Sequence, residues 1–355
     1  MSAATTHALP TSVAPLRALP GLLLSAAVAA AATALGRVGW LQANGISALT
    51  LAIVLGLLAG NLLPASTLAV SADGLDLARQ RLLRAGIVLY GLRLTFQDIG
   101  QVGLAGVAID ATVLCSTFAL ACVLGTRVFG LDRTTAILIG AGSSICGAAA
   151  VMATAPVVRG RPEQVAVAVA TVVGFGSVAI FLYPALFHLI AIVRPLSAGA
   201  YGLWAGSTIH EVAQVVAAGH AVGAAAADTA VIAKMVRVMM LAPFLVGLSA
   251  WFARAGVTPA TTARPRITIP WFALGFVAMA GLRSLDVLPA PLMAAADTLD
   301  VAMLAVAMAA LGLTTRLSAM RAAGLAPLAL GATLFAWLIV GGGAINLGLG
   351  AWLAR

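Results

Sequence analysis

Long apolar runs follow one another along nearly the whole chain, and short polar connections separate them. Eleven runs approach the ~20 residues that a helix needs to cross a bilayer. They fall at 19–35, 45–63, 82–96, 102–124, 134–158, 165–193, 198–222, 229–252, 269–285, 292–313 and 325–349. This pattern predicts an all-α polytopic membrane protein, with a disordered N-terminal tail at 1–18 and one integral membrane transporter domain at 19–355.

Two runs carry glycine and hydroxyl residues in their middle, where an ordinary membrane helix does not need them. AGSSICGAAAVMA at 141–153 and AGSTIHEVAQVVA at 205–217 are identical at seven of thirteen positions. Paired interrupted segments in two halves of a membrane protein are typical of a transport site near the midplane. The repeat-related runs 134–158 and 198–222 therefore predict an inverted repeat whose interrupted or re-entrant segments meet there.

The distribution of arginines bears on whether these two runs cross the membrane or turn back. With two hairpins and a cytoplasmic N-terminus, thirteen arginines face the cytoplasm and five face outward. With two full crossings, the counts are twelve and six. Both topologies obey the positive-inside rule. The hairpin topology is slightly favoured, and a single span between the hairpins makes them enter from opposite faces.

Composition limits the class of protein further. The chain is 62% hydrophobic and 9% charged, so lipid must be its main solvent. The net charge is +9, and most of the arginines that produce it lie between the apolar runs. At these positions they indicate membrane topology and contact with anionic lipid, not a nucleic-acid partner. The three cysteines have neither metal-ligand nor disulfide spacing. We expect the bacterial inner (cell) membrane, a lipid bilayer as partner, and no cofactor or metal.

The repeated phrase itself predicts an anion site. Glycine lets a broken helix turn, and the half-helix after each break directs its partly positive N-terminus at the membrane centre. Hydroxyl groups beside it can donate hydrogen bonds to an anion. The predicted substrate-binding residues in the two phrases are Gly142, Ser143, Ser144, Gly147, Gly206, Ser207 and Thr208. Small residues that only allow close helix packing are the alternative interpretation.

Charged residues inside the apolar runs add candidates. Lys234 and Arg237 lie three positions apart on one helix face, so we predict that both bind substrate. Glu211 is the expected partner of one of them and a candidate gate, and His210 is a candidate for proton coupling. Snorkelling to the interface is the alternative for the two cations.

Two more charged residues lie in other apolar runs and add to the candidates. Arg93 lies near the end of a short apolar run, where it either reaches the site or marks the interface. Asp110 is the acid within run 102–124 and is a candidate for coupling to a proton or sodium ion. No enzyme is predicted, because the chain has no phosphate-binding Walker loop and no orienting carboxylate for a Cys146–His210 nucleophile.

Four phrases resemble the YeiH-like sulfate exporter family of bacterial inner-membrane proteins. They are LLRAGIVLYGLRLTFQDI (82–99), GAGSSICGAAAVMATAPV (140–157), WAGSTIHEVAQVVAAG (204–219) and KMVRVMMLAP (234–243). The resemblance implies about eleven membrane segments and export of sulfate or a related sulfonate.

Together these observations predict a secondary transporter that exports a small oxyanion by alternating access. One alternative is a cation-coupled transporter of a neutral or organic substrate, with Asp110 and Glu211 binding the cation. The other is a membrane receptor or scaffold that transports nothing. Cargo, direction, coupling ion and oligomeric state stay open, and a homodimer is compatible with the sequence.

Overall fold

A computed structural model describes residues 15–38, 48–193, 195–254 and 271–353, and within these ranges the chain is helical, without a strand. The helices are α1 (Pro15–Leu35), α2 (Ala48–Leu62), α3 (Ala65–Leu77), α4 (Leu83–Tyr90), α5 (Phe96–Arg127), α6 (Arg133–Ser144), α7 (Ala148–Val158), α8 (Pro162–Val193), α9 (Ala198–Thr208), α10 (Val212–Val222), α11 (Ala224–Met239), α12 (Leu241–Arg254), α13 (Trp271–Ser284), α14 (Ala290–Thr314), α15 (Leu317–Ala322) and α16 (Leu325–Leu353). A π-helical turn at Ala78–Leu82 precedes α4, and a 3-10 turn at Gly91–Arg93 follows it.

The prediction of an all-helical membrane protein is confirmed, although eleven crossings are not. Among the described residues, six helical stretches are long and apolar enough to cross a membrane. They are Arg17–Leu35, Val102–Arg127, Pro162–Val193, Ala224–Phe252, Ala290–Thr314 and Leu325–Leu349. Helix α3 lay outside the predicted runs, because two aspartates and two serines lower its hydropathy.

Some predictions fall on the edges of the described ranges. Helix α1 begins at Pro15, within the predicted N-terminal tail, and residues 1–14 lie outside the described residues. Four arginines that enter the charge counts also lie outside the described residues, namely Arg194, Arg264, Arg266 and Arg355.

The two interrupted runs each fold back on themselves. Asp132, just before α6, accepts a 2.7 Å hydrogen bond from Gln164 Nε2, beyond the end of α7. If α6 and α7 ran on in one direction, about 1.5 Å of rise per residue would place these two residues over 30 Å apart. In the same way, the Tyr201 hydroxyl in α9 donates to the Ala218 carbonyl in α10 at 3.0 Å. We call α6–α7 the first hairpin and α9–α10 the second hairpin.

Helix α8 positions the two hairpins against each other. The first hairpin ends just before α8 begins, and the second hairpin begins just after α8 ends. Both tips contact the middle of α8. A Cβ on Gly142 would come within 2.8 Å of Val172 Cγ1, and a Cβ on Gly176 within 2.1 Å of Gln214 Oε1. The tips therefore approach the centre of one long helix from its opposite ends.

The helices form two groups, which meet at the hairpin tips. The outer group consists of α1–α4, α13 and α14, and the hairpin group consists of α5–α12 and α16. One cluster of buried apolar side chains runs through both groups, from Leu49 and Ile53 in α2 to Ile145 and Val216 in the hairpins. The hairpin tips thus lie in the protein interior, next to the junction of the two groups.

Candidate functional site

The two hairpin tips leave backbone groups without partners in their own helices. Helix α6 ends at Ser144 and α9 ends at Thr208, and each helix end exposes carbonyl groups that no further turn can satisfy. Inside a membrane protein, each such group costs several kcal/mol unless another donor reaches it. The positions of the intramembrane cations are explained by this need.

Lys234 and Arg237 satisfy the carbonyl groups of both tips at once. Lys234 Nζ donates to the carbonyls of Ile145 and Ile209, at 2.7 Å each. Arg237 reaches three further carbonyls: Nε donates to Ser144 at 2.6 Å, Nη2 to Ser143 at 2.9 Å and Nη1 to Ser207. Both side chains are fully buried. Helix α11 therefore clamps the carbonyl ends of α6 and α9 with two positive charges, which oppose the negative ends of the helix dipoles.

This geometry corrects the expected partnership of Glu211. No ion pair joins Glu211 to Lys234 or Arg237 within the described ranges, although Glu211 and Lys234 interact electrostatically at longer range. The two cations are instead occupied by backbone carbonyls, and snorkelling to the interface does not apply to side chains that are this deeply buried.

Glu211 lies where an anion was expected. Its Oε1 accepts a 3.1 Å hydrogen bond from the backbone N–H of Ala148, the first residue of α7. Glu211 is also the N-cap residue of α10, where its own N–H donates to Gln214 Oε1 at 3.0 Å. One carboxylate thus lies at the N-termini of both second half-helices, which favour negative charge.

Gly147 makes this contact possible. Its φ is +62°, a backbone conformation that residues other than glycine rarely adopt, and a Cβ there would lie 2.3 Å from Glu211 Cγ. The two other predicted glycines serve packing: a Cβ on Gly142 would meet Val151 at 2.7 Å, and one on Gly206 would meet the Ala230 carbonyl at 2.3 Å. The alternative interpretation of small residues at helix contacts thus applies to Gly142 and Gly206.

The hydroxyl groups in the two phrases mostly bond within their own helices. Ser144, Ser207 and Thr208 donate to carbonyl groups three or four residues earlier. The Ser143 hydroxyl is buried and has no hydrogen-bond partner among the described atoms. Ser207 also accepts a 2.9 Å hydrogen bond from Asn346 of α16. Asn346 was not among the predicted site residues.

His210 and Asp110 are buried beside the tips. The His210 ring lies 6.1 Å from that of Phe335, and its Nδ1 has no partner among the described atoms. Asp110 of α5 is fully buried, and neither of its carboxylate oxygens has a hydrogen-bond partner in the described ranges. Asp110 interacts electrostatically with both Arg237 and Lys234. Both residues therefore keep polar atoms unused beside the tips.

A cavity of about 510 Å³ leads from the outside of the helix bundle to the first hairpin tip. Cys146, Ala148 and Glu211, at the hairpin tips, line it together with Arg79 and Arg84 on the side of the outer group. Arg79 lies in the π-helical turn, a feature that is often found at functional sites. The inner end of α7 and an acidic side chain therefore face a space in which a small molecule could bind.

On the other side of the tips, one hydrogen bond joins the outer group to the hairpin group, and two ion pairs within the outer group lie beside it. The Tyr90 hydroxyl donates to Asp228 Oδ1 of α11 at 2.8 Å. Arg93 forms ion pairs with Asp297 at 3.3 Å and Asp300 at 3.1 Å, and its guanidinium lies 5.1 Å from the Tyr90 ring centre. We call these five residues the latch cluster. Arg93, predicted to bind substrate, does not line the cavity, and its guanidinium is paired with the two aspartates instead.

The sequence carried a signal for some of the missed residues. Asn346 is the single amide side chain in run 325–349, and a lone polar residue in an apolar helix usually has a buried partner. The sequence indicated Arg79 and Arg84 only as arginines that mark the membrane topology, because nothing in their spacing shows that they line a cavity. The Ala148 N–H has no side-chain signal at all.

Comparison with known proteins places the chain in a family. The profile described as Conserved hypothetical protein 698 matches residues 20–331. The chain is 64% identical over 335 residues to the UPF0324 membrane protein PA5383 of Pseudomonas aeruginosa, covering 92% of each chain. It is 53% identical over 328 residues to the UPF0324 inner membrane protein YeiH of Escherichia coli (strain K12), covering 92% of this chain and 93% of that one. No solved structure matches it. The chain therefore belongs to the UPF0324 family, to which YeiH also belongs, and is a multi-pass protein of the bacterial inner membrane.

Proposed function

We propose that the chain is a secondary transporter that exports a small oxyanion, such as sulfate or a sulfonate, by alternating access. One observation carries the proposal: a cavity beside two arginines ends at the N-terminus of half-helix α7, and a carboxylate already bonds there. A backbone site that holds Glu211 can also hold the anionic group of a substrate, since both present oxygen acceptors.

The two hairpins are the elements on which this mechanism depends. In the proposed topology they are re-entrant, related as an inverted repeat, and enter the bilayer from opposite faces among about eleven membrane segments. Their common position against the middle of α8 supports this arrangement. With their carbonyl ends clamped by Lys234 and Arg237, the positive ends of α7 and α10 are left for a mobile anion.

Exchange of anions at α7 gives a route to coupling. When a substrate anion takes the Ala148 N–H, Glu211 must leave it, and in an apolar interior it leaves more easily as the neutral acid. We propose that the proton on Glu211 travels in the same direction as the substrate anion, with His210 and Asp110 as further proton positions. Export then runs down the outward gradient of the substrate and carries the proton with it.

The latch cluster supplies the second state that alternating access requires. Its Tyr90–Asp228 hydrogen bond joins the outer group to the hairpin group, and the cavity separates the two groups on the opposite side of the tips. In the proposed cycle, opening of the latch cluster accompanies closure of the cavity, as the hairpin group moves against the outer group. A single sliding repeat unit, an elevator, is one form of this movement.

Flux in proteoliposomes tests the proposal. Purified protein should drive counterflow of radiolabelled sulfate or methanesulfonate, and an imposed proton gradient should accelerate it. The double variant Arg79→Gln, Arg84→Gln should reduce this flux at least fivefold, whereas the exposed variant Arg283→Gln should not. Absence of any flux from correctly folded protein would support a receptor or scaffold instead.

A cation-coupled transporter of a neutral or organic substrate is the second candidate, because Asp110 has two buried oxygens without hydrogen-bond partners among the described atoms. If transport requires sodium and Asp110→Asn abolishes that requirement, this candidate replaces proton coupling.

A further inference from the structure

The walls of the cavity are mostly apolar. Its polar lining consists of Arg79, Gln80, Arg84, Glu211 and the Cys146 thiol. Elsewhere it is lined by aliphatic and aromatic side chains of both helix groups, including Ile87, Met152, Val173, Trp271, Phe272 and Leu311. An inorganic oxyanion gains nothing from such walls, since it has no apolar surface to remove from water and loses hydration beside them.

The volume of the cavity also exceeds what an inorganic oxyanion needs. At about 30 Å³ for each water molecule, 510 Å³ corresponds to roughly 17 waters. Pockets of about 300–1000 Å³ with apolar walls and a few polar groups generally bind organic molecules. A sulfate ion here would leave most of the space to water in contact with hydrophobic side chains.

The polar and apolar parts of the cavity lie in a defined order. Ala148 and Glu211 line it at the hairpin tips, and Met152 and Ala153 line it one turn further along α7. Trp271 and Phe272, at the start of α13, line the side of the outer group, and the Arg84 guanidinium lies 5.8 Å from the Phe272 ring centre. A ligand with its anionic group at Ala148 would therefore lay its remaining atoms against apolar side chains.

We propose that the cargo is an organic anion in which one oxyanion group, such as a sulfonate, is attached to an apolar body. The anionic group takes the place of Glu211 at the α7 N-terminus, and the apolar body lies between α7 and the aromatic side chains of α13. This inference rests on the proposed transport function and names the substrate class of the same site.

A series of alkylsulfonates tests the inference at constant charge. Counterflow of radiolabelled methanesulfonate in proteoliposomes is measured against unlabelled methane-, propane- and hexanesulfonate, with sulfate as the inorganic reference and hexylammonium as the cation of equal chain length. Full burial of a methylene contributes about 0.8 kcal/mol, or about fourfold in affinity. We expect inhibition to strengthen two- to fourfold for each added methylene, and we expect sulfate to be the weakest anion.

A matched pair of variants tests the location. Ala153→Phe places a ring in the apolar part of the cavity, so it should weaken hexanesulfonate at least tenfold more than methanesulfonate. Ala119→Phe adds the same ring to the exposed surface of α5 and should leave the ratio unchanged. An unchanged ratio in Ala153→Phe would contradict the assigned position of the apolar body.

The outcomes separate this inference from the function on which it rests. If methanesulfonate is transported but affinity is flat or falls with chain length, the organic-anion inference is overturned and anion transport stands. If hexylammonium inhibits as strongly as hexanesulfonate, the chain-length effect is nonspecific and the inference also fails. If no anion of the series shows counterflow, the proposed function fails with it.

Discussion

Glu211 and Ala148 are 63 residues apart in the sequence, yet the carboxylate of one accepts a hydrogen bond from the backbone N–H of the other at 3.1 Å. The contact joins the tip of the second hairpin to the first turn of α7 in the first hairpin. It also means that the N-terminus of α7, a position that favours anions, already contains the carboxyl group of Glu211. Any anionic substrate at α7 has to compete with Glu211.

Neutralising Glu211 should therefore tighten substrate binding and uncouple transport. Glu211→Gln keeps an oxygen acceptor for Ala148 but removes the competing charge, so we expect affinity for methanesulfonate to rise at least about tenfold, or 1.4 kcal/mol. The acceleration by a proton gradient should disappear. Equilibrium binding and proton-driven flux measure the two effects. Glu163→Gln, an exposed carboxylate in the first turn of α8, is the control. Weaker binding in Glu211→Gln would contradict the competition.

Gly147 should not tolerate a side chain. Alanine there suffers both the strain of φ +62° and a 2.3 Å collision with Glu211 Cγ, so Gly147→Ala should displace the Glu211 carboxylate and reduce flux at least tenfold. Gly130 has φ +63°, and no atom lies within 4 Å of the place that an alanine Cβ would take, so Gly130→Ala carries the strain alone. It should cost about 1 kcal/mol of stability and little flux. Equal losses of flux in both variants would show that strain, and not the contact, is responsible.

Lys234 should act on stability more than on substrate recognition. Lys234→Met removes the donors for the Ile145 and Ile209 carbonyls, and each buried unsatisfied group costs about 1–3 kcal/mol. With two such groups, we expect the free energy of unfolding to fall by roughly 2–6 kcal/mol. Thermal unfolding in detergent measures this loss, with and without a saturating anion. Arg283→Met, which removes an exposed cation, should leave the midpoint unchanged. A Lys234→Met protein with normal stability and no anion binding would favour direct substrate contact.

Tyr90→Phe should weaken the latch cluster without touching the cavity. The variant removes the hydrogen bond to Asp228, and bonds to charged groups contribute about 1.5–3 kcal/mol. We expect the population with an open cavity to fall at least tenfold. In a Cys115→Ser, Cys122→Ser background, labelling of Cys146 by an impermeant maleimide from the Arg79 side reports this population. Tyr201→Phe removes a tyrosine hydroxyl bond to a backbone carbonyl within the second hairpin and should not slow labelling. If Cys146 is labelled at the same rate in both variants, the latch cluster does not control access to the cavity.

Asp132 should stabilise the base of the first hairpin in a pH-dependent way. Burial alone would raise the pKa of Asp132, but hydrogen bonds from the Thr135 hydroxyl and N–H outweigh it and lower the pKa. A lowered pKa in the folded state gives stabilisation that is present above the unfolded value of about 3.9 and is lost as pH falls through the folded value. Asp132→Ala should cost about 1 kcal/mol at pH 7, as for other N-caps, and the difference should shrink near pH 3. Thermal unfolding at both pH values measures it, and a pH-independent difference would exclude the carboxylate as the cause.

Much of the architecture followed from the periodic run of apolar residues and the repeated phrase. The phrase identified both hairpin tips, because glycine and hydroxyl residues inside a membrane segment need a backbone reason. Charge counting favoured hairpins only slightly, and the bonds from Gln164 to Asp132 and from Tyr201 to Ala218 show the fold-back directly.

The roles of individual residues could not be predicted to the same extent. A cation in a membrane helix satisfies either a ligand or a backbone carbonyl, and the sequence of α11 is the same in both cases. Lys234 and Arg237 took the carbonyls because the chain breaks lie beside them in space, about 25–94 positions away in sequence. Likewise, the anion position at Ala148 is a backbone group whose identity depends on helix geometry and not on residue type.

The clamp on α11 also fixes an order of events during synthesis. Lys234 follows the Ile145 carbonyl by 89 residues, so the first hairpin leaves the ribosome without the cation that completes it. At about 5–20 residues per second, this delay lasts roughly 4–18 s. During that interval a temporary donor, such as water or the insertion machinery, must satisfy the break. The native tip can form only after translation has passed Arg237, so chains that stop earlier should be substrates for membrane quality control.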